Sequence, residues 1–187
     1  MIQRAPQLTI AQYEQMAADG EFDSLDERVE LIRGELHFMS PESDFHIDVV
    51  AYLIDWTSQV GRIHGYMCYP QLGVKFEELL SIPEPDVAWV KRRRFKRGKA
   101  TLEDLGLIIE VSRSLLHYDR TVKASLYAEA LVPEYWIANC GEETIEVYRA
   151  SDGQRFTKQF VVRRGERVSP LVAPEAWLIV EEVYADE

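Results

Sequence analysis

Two short runs constrain this chain more than anything else in it. Pro85-Asp86-Val87-Ala88-Trp89-Val90 and Leu107-Ile108-Ile109-Glu110-Val111 are apolar at almost every position, yet each holds one carboxylate. Apolar runs of this length suit strands covered on both faces, as in a sheet flanked by helices. An unpaired charge inside such a run is expensive to bury. If the two strands are neighbours, both carboxylates can emerge at one end of the sheet.

The surrounding pattern predicts a mixed α/β (α+β) fold. Thr9-Ile10-Ala11-Gln12 reads as a capping box opening a short helix, with Tyr13, Met16 and Ala17 as its buried stripe and Gly20 as its stop. Arg28–Ile32 and Glu35–Met39 read as strands joined by a tight Arg33-Gly34 turn. Pro41-Glu42-Ser43-Asp44 offers caps for a second helix, with Ile47, Val50, Ala51, Leu53 and Ile54 as its apolar face and Gly61 at its end. Further strands are expected around Tyr66–Tyr69, Gly73–Phe76, Tyr135–Ala138, Thr144–Arg149 and Phe156–Val162. A third helix is expected from Thr121 to Ala130, and Pro133 prevents its continuation. With no internal repeat and no low-complexity linker, residues 1–187 read as one domain.

Composition narrows the class. No apolar run is long enough to cross a bilayer, and Met1–Pro6 lacks the apolar core of a secretion signal. Cys68 and Cys140 are far apart and outside any C-x-x-C pair, which argues against a disulfide framework or structural zinc and for the reducing cytoplasm. The net charge of −11 argues against a whole surface built to grip nucleic acid. One stretch departs from that average: Lys91–Lys99 holds seven basic residues in nine. Such a block is either a solvated connection or a phosphate-contacting loop.

Asp86 and Glu110 are hard oxygen ligands of the kind that suit Mg²⁺ or Mn²⁺. By spacing alone each could equally end a strand or pair with an arginine. Asp119, Lys123 and Tyr127 recur at helical spacing. That is either an exposed acid–lysine pair or a way to bring the Lys123 ammonium near the carboxylates, with Asp119 capping the helix or holding Lys123. Tyr127, Tyr135 and Trp136 read as core aromatics. His37, His64 and His117 show no metal-ligand spacing.

Four stretches carry a resemblance. They are Glu30-Leu31-Ile32-Arg33-Gly34-Glu35-Leu36; Ser40-Pro41 with His46; Pro85-Asp86-Val87; and Ile109-Glu110-Val111-Ser112 through Tyr118-Asp119-Arg120, Lys123 and Tyr127 to Pro133-Glu134-Tyr135-Trp136-Ile137. In order and spacing the chain resembles the Uma-type family of restriction-endonuclease-like proteins, from about Leu8 to Arg149. That family is similar to PD-(D/E)XK nucleases, whose core is a mixed sheet flanked by helices.

The resemblance implies that Asp86 fills the PD position and Glu110 the acid of the E-x-K element, with both holding metal. Ser112 stands where the superfamily has its lysine, and Lys123 on the next helix matches the family's relocated lysine. Glu30 is implied as a further catalytic acid. His46 is either a phosphate or acid contact or a local hydrogen-bonding residue. The implied activity is a Mg²⁺-dependent endonuclease (or Mn²⁺) hydrolysing phosphodiester bonds in DNA, with the nucleic acid held in part by Lys91–Lys99 and a homodimer as the working form. The alternative is a non-catalytic nucleic-acid-binding or regulatory module that keeps the fold.

Overall fold

The first helix, α1 (Ile10–Ala18), begins at a reciprocal cap. Gln12 N–H donates to Thr9 Oγ1 at 3.2 Å, and Thr9 N–H donates to the Gln12 side-chain carbonyl at 2.9 Å. The computed structural model describes residues 7–39, 43–70, 72–92 and 100–185. In it Ile10 and Tyr13 pack on Val29, Leu31 and Ile82. Ala17 is exposed, because α1 has only this narrow hairpin surface to cover.

That hairpin pairs β1 (Arg28–Ile32) with β2 (Glu35–Met39), as expected. Its two turn residues, Arg33 and Gly34, have φ of 53° and 77°. A Cβ at Gly34 would lie 2.7 Å from Gln7 Cβ and 3.1 Å from the Leu8 carbonyl, so glycine is required there. Arg33 tolerates its left-handed backbone while its guanidinium grips both Glu129 carboxylate oxygens at 2.8 Å. Leu31 O accepts from Ile82 N–H at 2.7 Å, tying the hairpin to the segment that leads into Asp86.

Helix α2 (Asp44–Val60) is capped by Ser43 and ends at Gly61. Its buried face is His46, Val49, Leu53, Trp56 and Thr57, while Ile47 and Ala51 are exposed. The expected face shared only Leu53 with this one. Trp56 decides the rotation: it packs 5.3 Å from Trp89 and 6.2 Å from Trp136, and Trp89 Nε1–H donates to Thr57 Oγ1 at 2.9 Å. Burying a large indole outweighs burying Ile47 and Ala51.

The central sheet holds β3 (Tyr66–Tyr69), β4 (Val87–Lys91), β5 (Leu105–Ser112), β6 (Glu134–Asn139), β7 (Thr144–Ser151) and β8 (Phe156–Val162), neighbours in that order. Only β5 and β6 are parallel; the other pairs are antiparallel. The expected mixed sheet flanked by helices is therefore present. Gly73–Phe76 is not a strand: Phe76 makes an isolated bridge to Ser81, and Val74 N–H donates to Pro83 O at 2.9 Å. Small additional strands β9 (Arg167–Val168) and β10 (Leu178–Ile179) pair near the C-terminus.

The β5–β6 crossover is one broken helix. It runs as α3 (Leu116–Tyr118), a π turn over Asp119–Lys123, and α4 (Ala124–Glu129). It thus starts five residues before the expected Thr121. Leu126 and Tyr127 pack with Ala88, Ile108, Tyr135 and Ile137 on one sheet face. Val49, Leu53 and Trp56 of α2 pack with Trp89, Leu107, Ile109 and Trp136 on the other. Each fully buried aliphatic such as Leu107 or Ile108 contributes about 1.5–3 kcal/mol. Among the described residues, no helix is long and apolar enough to cross a membrane.

Candidate active site

Asp86 stands immediately before β4 and Glu110 lies within β5. The antiparallel register sets Val87 opposite Ile109, which brings the two acids together at one end of the strands. Asp86 N–H donates to Glu110 Oε2 at 3.4 Å, and Val111 N–H donates to Asp86 Oδ2 at 2.8 Å. Alternation along β5 points Glu110, like Ile108, toward α4. Lys123 ends the π turn there and places its ammonium 3.1 Å from Glu110 Oε1. Tyr127, one turn further, donates its hydroxyl to the same oxygen at 2.7 Å.

The hairpin supplies the opposite wall. Arg28 and Glu30 share a face of β1, while Val29 and Leu31 turn into the small core beneath α1. Glu30 Oε2 lies 2.6 Å from Lys123 Nζ, and Glu30 Oε1 accepts from Glu84 N–H at 3.0 Å. Arg28 Nη2 lies 3.3 Å from Asp86 Oδ1, and His46 Nε2 lies 3.6 Å from the same oxygen. Arg28, Glu30, His46, Asp86, Glu110 and Lys123 line a cavity of about 280 Å³.

Glu30, Asp86, Glu110 and Lys123, the four sequence-predicted site residues, are thus brought into one buried cluster, and His46 joins it as an acid contact. Asp119 lines the same cavity from within the π turn, not from a cap. Tyr127 packs in the core as expected, but its hydroxyl reaches the site. Sequence reasoning missed Arg28, whose one signal was its position two residues before Glu30. It also missed Tyr118, whose hydroxyl is 2.9 Å from His37 Nδ1 at the cavity wall. The expected basic loop begins at the far end of β4 from Asp86, roughly 17 Å away at strand rise. Lys91 and Arg92 are exposed there. The rest of that run lies outside the described residues.

Burial dominates the electrostatics. It pushes the Glu110 carboxyl up to about 8, against the attraction of Lys123 and with the repulsion of Asp86. It pushes Asp119 up to about 6, opposed by Ser112 and Lys123. Burial also disfavours the Lys123 charge, but Glu110 and Glu30 outweigh it and raise its pKa above the ordinary lysine value. Burial opposes ionisation of Asp86 too, yet His46, Arg28 and the Val111 N–H hold its pKa below the usual aspartate value. The cluster therefore keeps one fixed ammonium beside one firmly ionised acid and one acid that is reluctant to ionise.

A mixed sheet flanked by helices, with two acids and a lysine converging at one end of adjacent strands, defines a restriction-endonuclease-like protein. The Uma2 family model, described as "Putative restriction endonuclease", matches residues 10–181, and the chain belongs to that family. A crystal structure from Anabaena variabilis, titled as "a putative nuclease belonging to DUF820", has a similar fold. Its TM-score is 0.71 at 17% identity, with 95% of this chain and 97% of that chain covered. No curated protein matches the chain.

Proposed function

We propose that this protein is a Mg²⁺- or Mn²⁺-dependent endonuclease that hydrolyses phosphodiester bonds in DNA. The observation that carries the reading is Lys123, whose ammonium bridges Glu30 and Glu110 at 2.6 and 3.1 Å beside Asp86 on a solvent-reachable cavity.

The donor set fits a hard divalent cation. Among the described residues no cluster of three or more His, Cys, Asp or Glu side chains forms a ready-made metal cage. Mg²⁺ does not need one, because it binds through one or two carboxylates and keeps several waters. Asp86 and Glu110 would hold it, since both carboxylates line the same cavity and Asp86 N–H donates to Glu110 Oε2. Bound there, the cation would neutralise charge on the scissile phosphate and acidify a water.

The chain's own residues do the rest. Lys123 has three donors, and the contacts to Glu30 and Glu110 leave one, among the described residues, for the attacking water or a phosphate oxygen. Glu30 orients that ammonium and is itself fixed by Glu84 N–H. Tyr127 and Lys123 together fix the Glu110 rotamer. An extended DNA backbone running from the cavity toward Lys91 would meet the basic end of the sheet, with a salt-dependent gain in affinity. Two copies in a homodimer would reach both strands of a duplex, and the free thiols of Cys68 and Cys140 suit the reducing cytoplasm.

Cleavage of plasmid and single-stranded DNA with Mg²⁺ and Mn²⁺ tests the proposal. Wild type should nick, and Asp86→Ala and Lys123→Ala should not. Equal nicking by all three would overturn it, and cation binding without turnover would favour the non-catalytic module.

A further inference from the structure

Four basic side chains line the cavity beside Asp86 and Glu110, and three of them meet acids. Arg28 and His46 reach Asp86 Oδ1 at 3.3 and 3.6 Å. Lys123 spans Glu30 and Glu110. The fourth, Arg113, makes no ion pair among the described residues. The chain has 32 acidic residues against 21 basic ones, so an arginine that meets none of the acids gathered around it stands apart.

The strand places this side chain. Alternation along β5 turns Glu110 and Ser112 toward α4. Carried one residue past the strand, it turns Arg113 toward α2. There its guanidinium lies 6.0 Å from the ring centroid of Phe45, in the first turn of α2, which is within cation–π reach. Phe45 is half-buried against the core that holds Val111 and Val49. A ring-face contact steadies a guanidinium and leaves its five N–H donors unused.

The two acids therefore lie between a paired lysine on the α4 side and an arginine with open donors on the α2 side. An exposed arginine needs no protein partner, but this one stands at the wall of the cavity where a phosphate would lie over Asp86 and Glu110. A guanidinium fork matches two phosphate oxygens. Resting on the endonuclease reading above, we propose that Arg113 is the substrate-phosphate ligand of this site. It holds the non-bridging oxygens of a nucleic-acid backbone phosphate on the α2 side of the cavity, and Phe45 steadies it there.

The test uses the full chain and labelled DNA duplexes in Ca²⁺, followed by anisotropy across a salt series. Each phosphate contact adds about 0.9 to the slope of log affinity against log salt. Arg113→Gln should bind roughly tenfold more weakly at low salt, with a slope shallower by about one and an equal loss on unrelated sequences. Arg113→Lys should restore the slope and only part of the affinity, because the charge returns without the fork. Arg155→Gln controls for net charge: Arg155 is exposed in the turn after β7, at the end of the sheet away from the cavity, and its loss should leave binding as in wild type. An unchanged slope in Arg113→Gln, with wild type binding normally, overturns the role of Arg113 alone. So does an equal loss in Arg155→Gln, or a slope that Arg113→Lys fails to restore. No DNA binding by wild type overturns the endonuclease reading and the contact with it.

Discussion

Tyr127 and Lys123 converge on a single oxygen. The phenol donates to Glu110 Oε1 at 2.7 Å and the ammonium approaches the same atom at 3.1 Å. Burial and the Glu110 charge raise the tyrosine pKa well above its ordinary value, so it remains a donor. Tyr127→Phe keeps the ring packed on Phe76 and Tyr135 but leaves the carboxylate one donor short. We expect a loss of about 1–2 kcal/mol in urea unfolding with the m-value unchanged. A loss near zero would mean that Lys123 alone satisfies the oxygen.

Lys123→Met removes the only cation held between Glu30 and Glu110 among the described residues. Breaking a buried pair this way costs about 3–5 kcal/mol. The penalty has a sign in pH. Acids whose folded pKa is raised lose stability as pH climbs past their unfolded value, 4.5 for glutamate. Wild-type Glu110 is itself pushed up to about 8, so both proteins lose this stability alike up to that pH. The melting-temperature gap should widen above about 8, where only the variant, its carboxyl raised further by loss of Lys123, goes on losing stability. A gap independent of pH would contradict the cluster.

Glu110 also sets the pH dependence of cation binding. With its carboxyl pushed up to about 8 by burial, it is largely protonated at lower pH and must release a proton to become a ligand. Mg²⁺ affinity should rise by up to about tenfold per pH unit and level off above that point. Calorimetry in buffers of different ionisation enthalpy should show proton release at neutral pH. Glu110→Gln should abolish it.

Arg120 braces the site from outside. Its guanidinium meets both Glu146 oxygens, at 2.6 and 2.9 Å, and Glu146 also accepts from Asn139 and Tyr148. Burial opposes the Glu146 charge, but Arg120, Asn139 and Tyr148 outweigh it and lower the pKa below 4.5. The resulting stability is present above that value and is lost as pH falls through the lowered pKa. Glu146→Gln should cost about 1–2 kcal/mol at neutral pH, moderated by the exposure of Arg120, and the difference should close in acid. Thermal melts of both proteins across pH measure it.

The parts of this site that could be read from sequence are those where local pattern and chemistry agree. Asp86 and Glu110 interrupt otherwise apolar strands, so both stand out as candidates, although the family resemblance and not their spacing implied that they pair. Lys123 stands at helical spacing from Tyr127, and Arg33-Gly34 announces its turn. The hidden parts depend on distant chain. Nothing near Arg28 says that it will meet an acid 58 residues away. The face of α2 is decided by Trp89 and Trp136 across the sheet, not by its own aliphatic residues. Gly73–Phe76 has strand-like residues but finds only one bridge partner. The extra helical residue between Asp119 and Lys123 leaves no compositional trace.

That extra residue has a geometric effect. A π turn inserts one residue into the screw, and one residue of α-helix corresponds to about 100° of rotation. Tyr118 and Asp119 are thereby out of phase with Lys123 and Tyr127, compared with a continuous α-helix. Both sets nevertheless look onto the same active-site space. The angular offset lets a single crossover serve as floor and wall at once. Removing one residue between Asp119 and Lys123 would swing one set away while leaving every side chain of the cluster in the sequence.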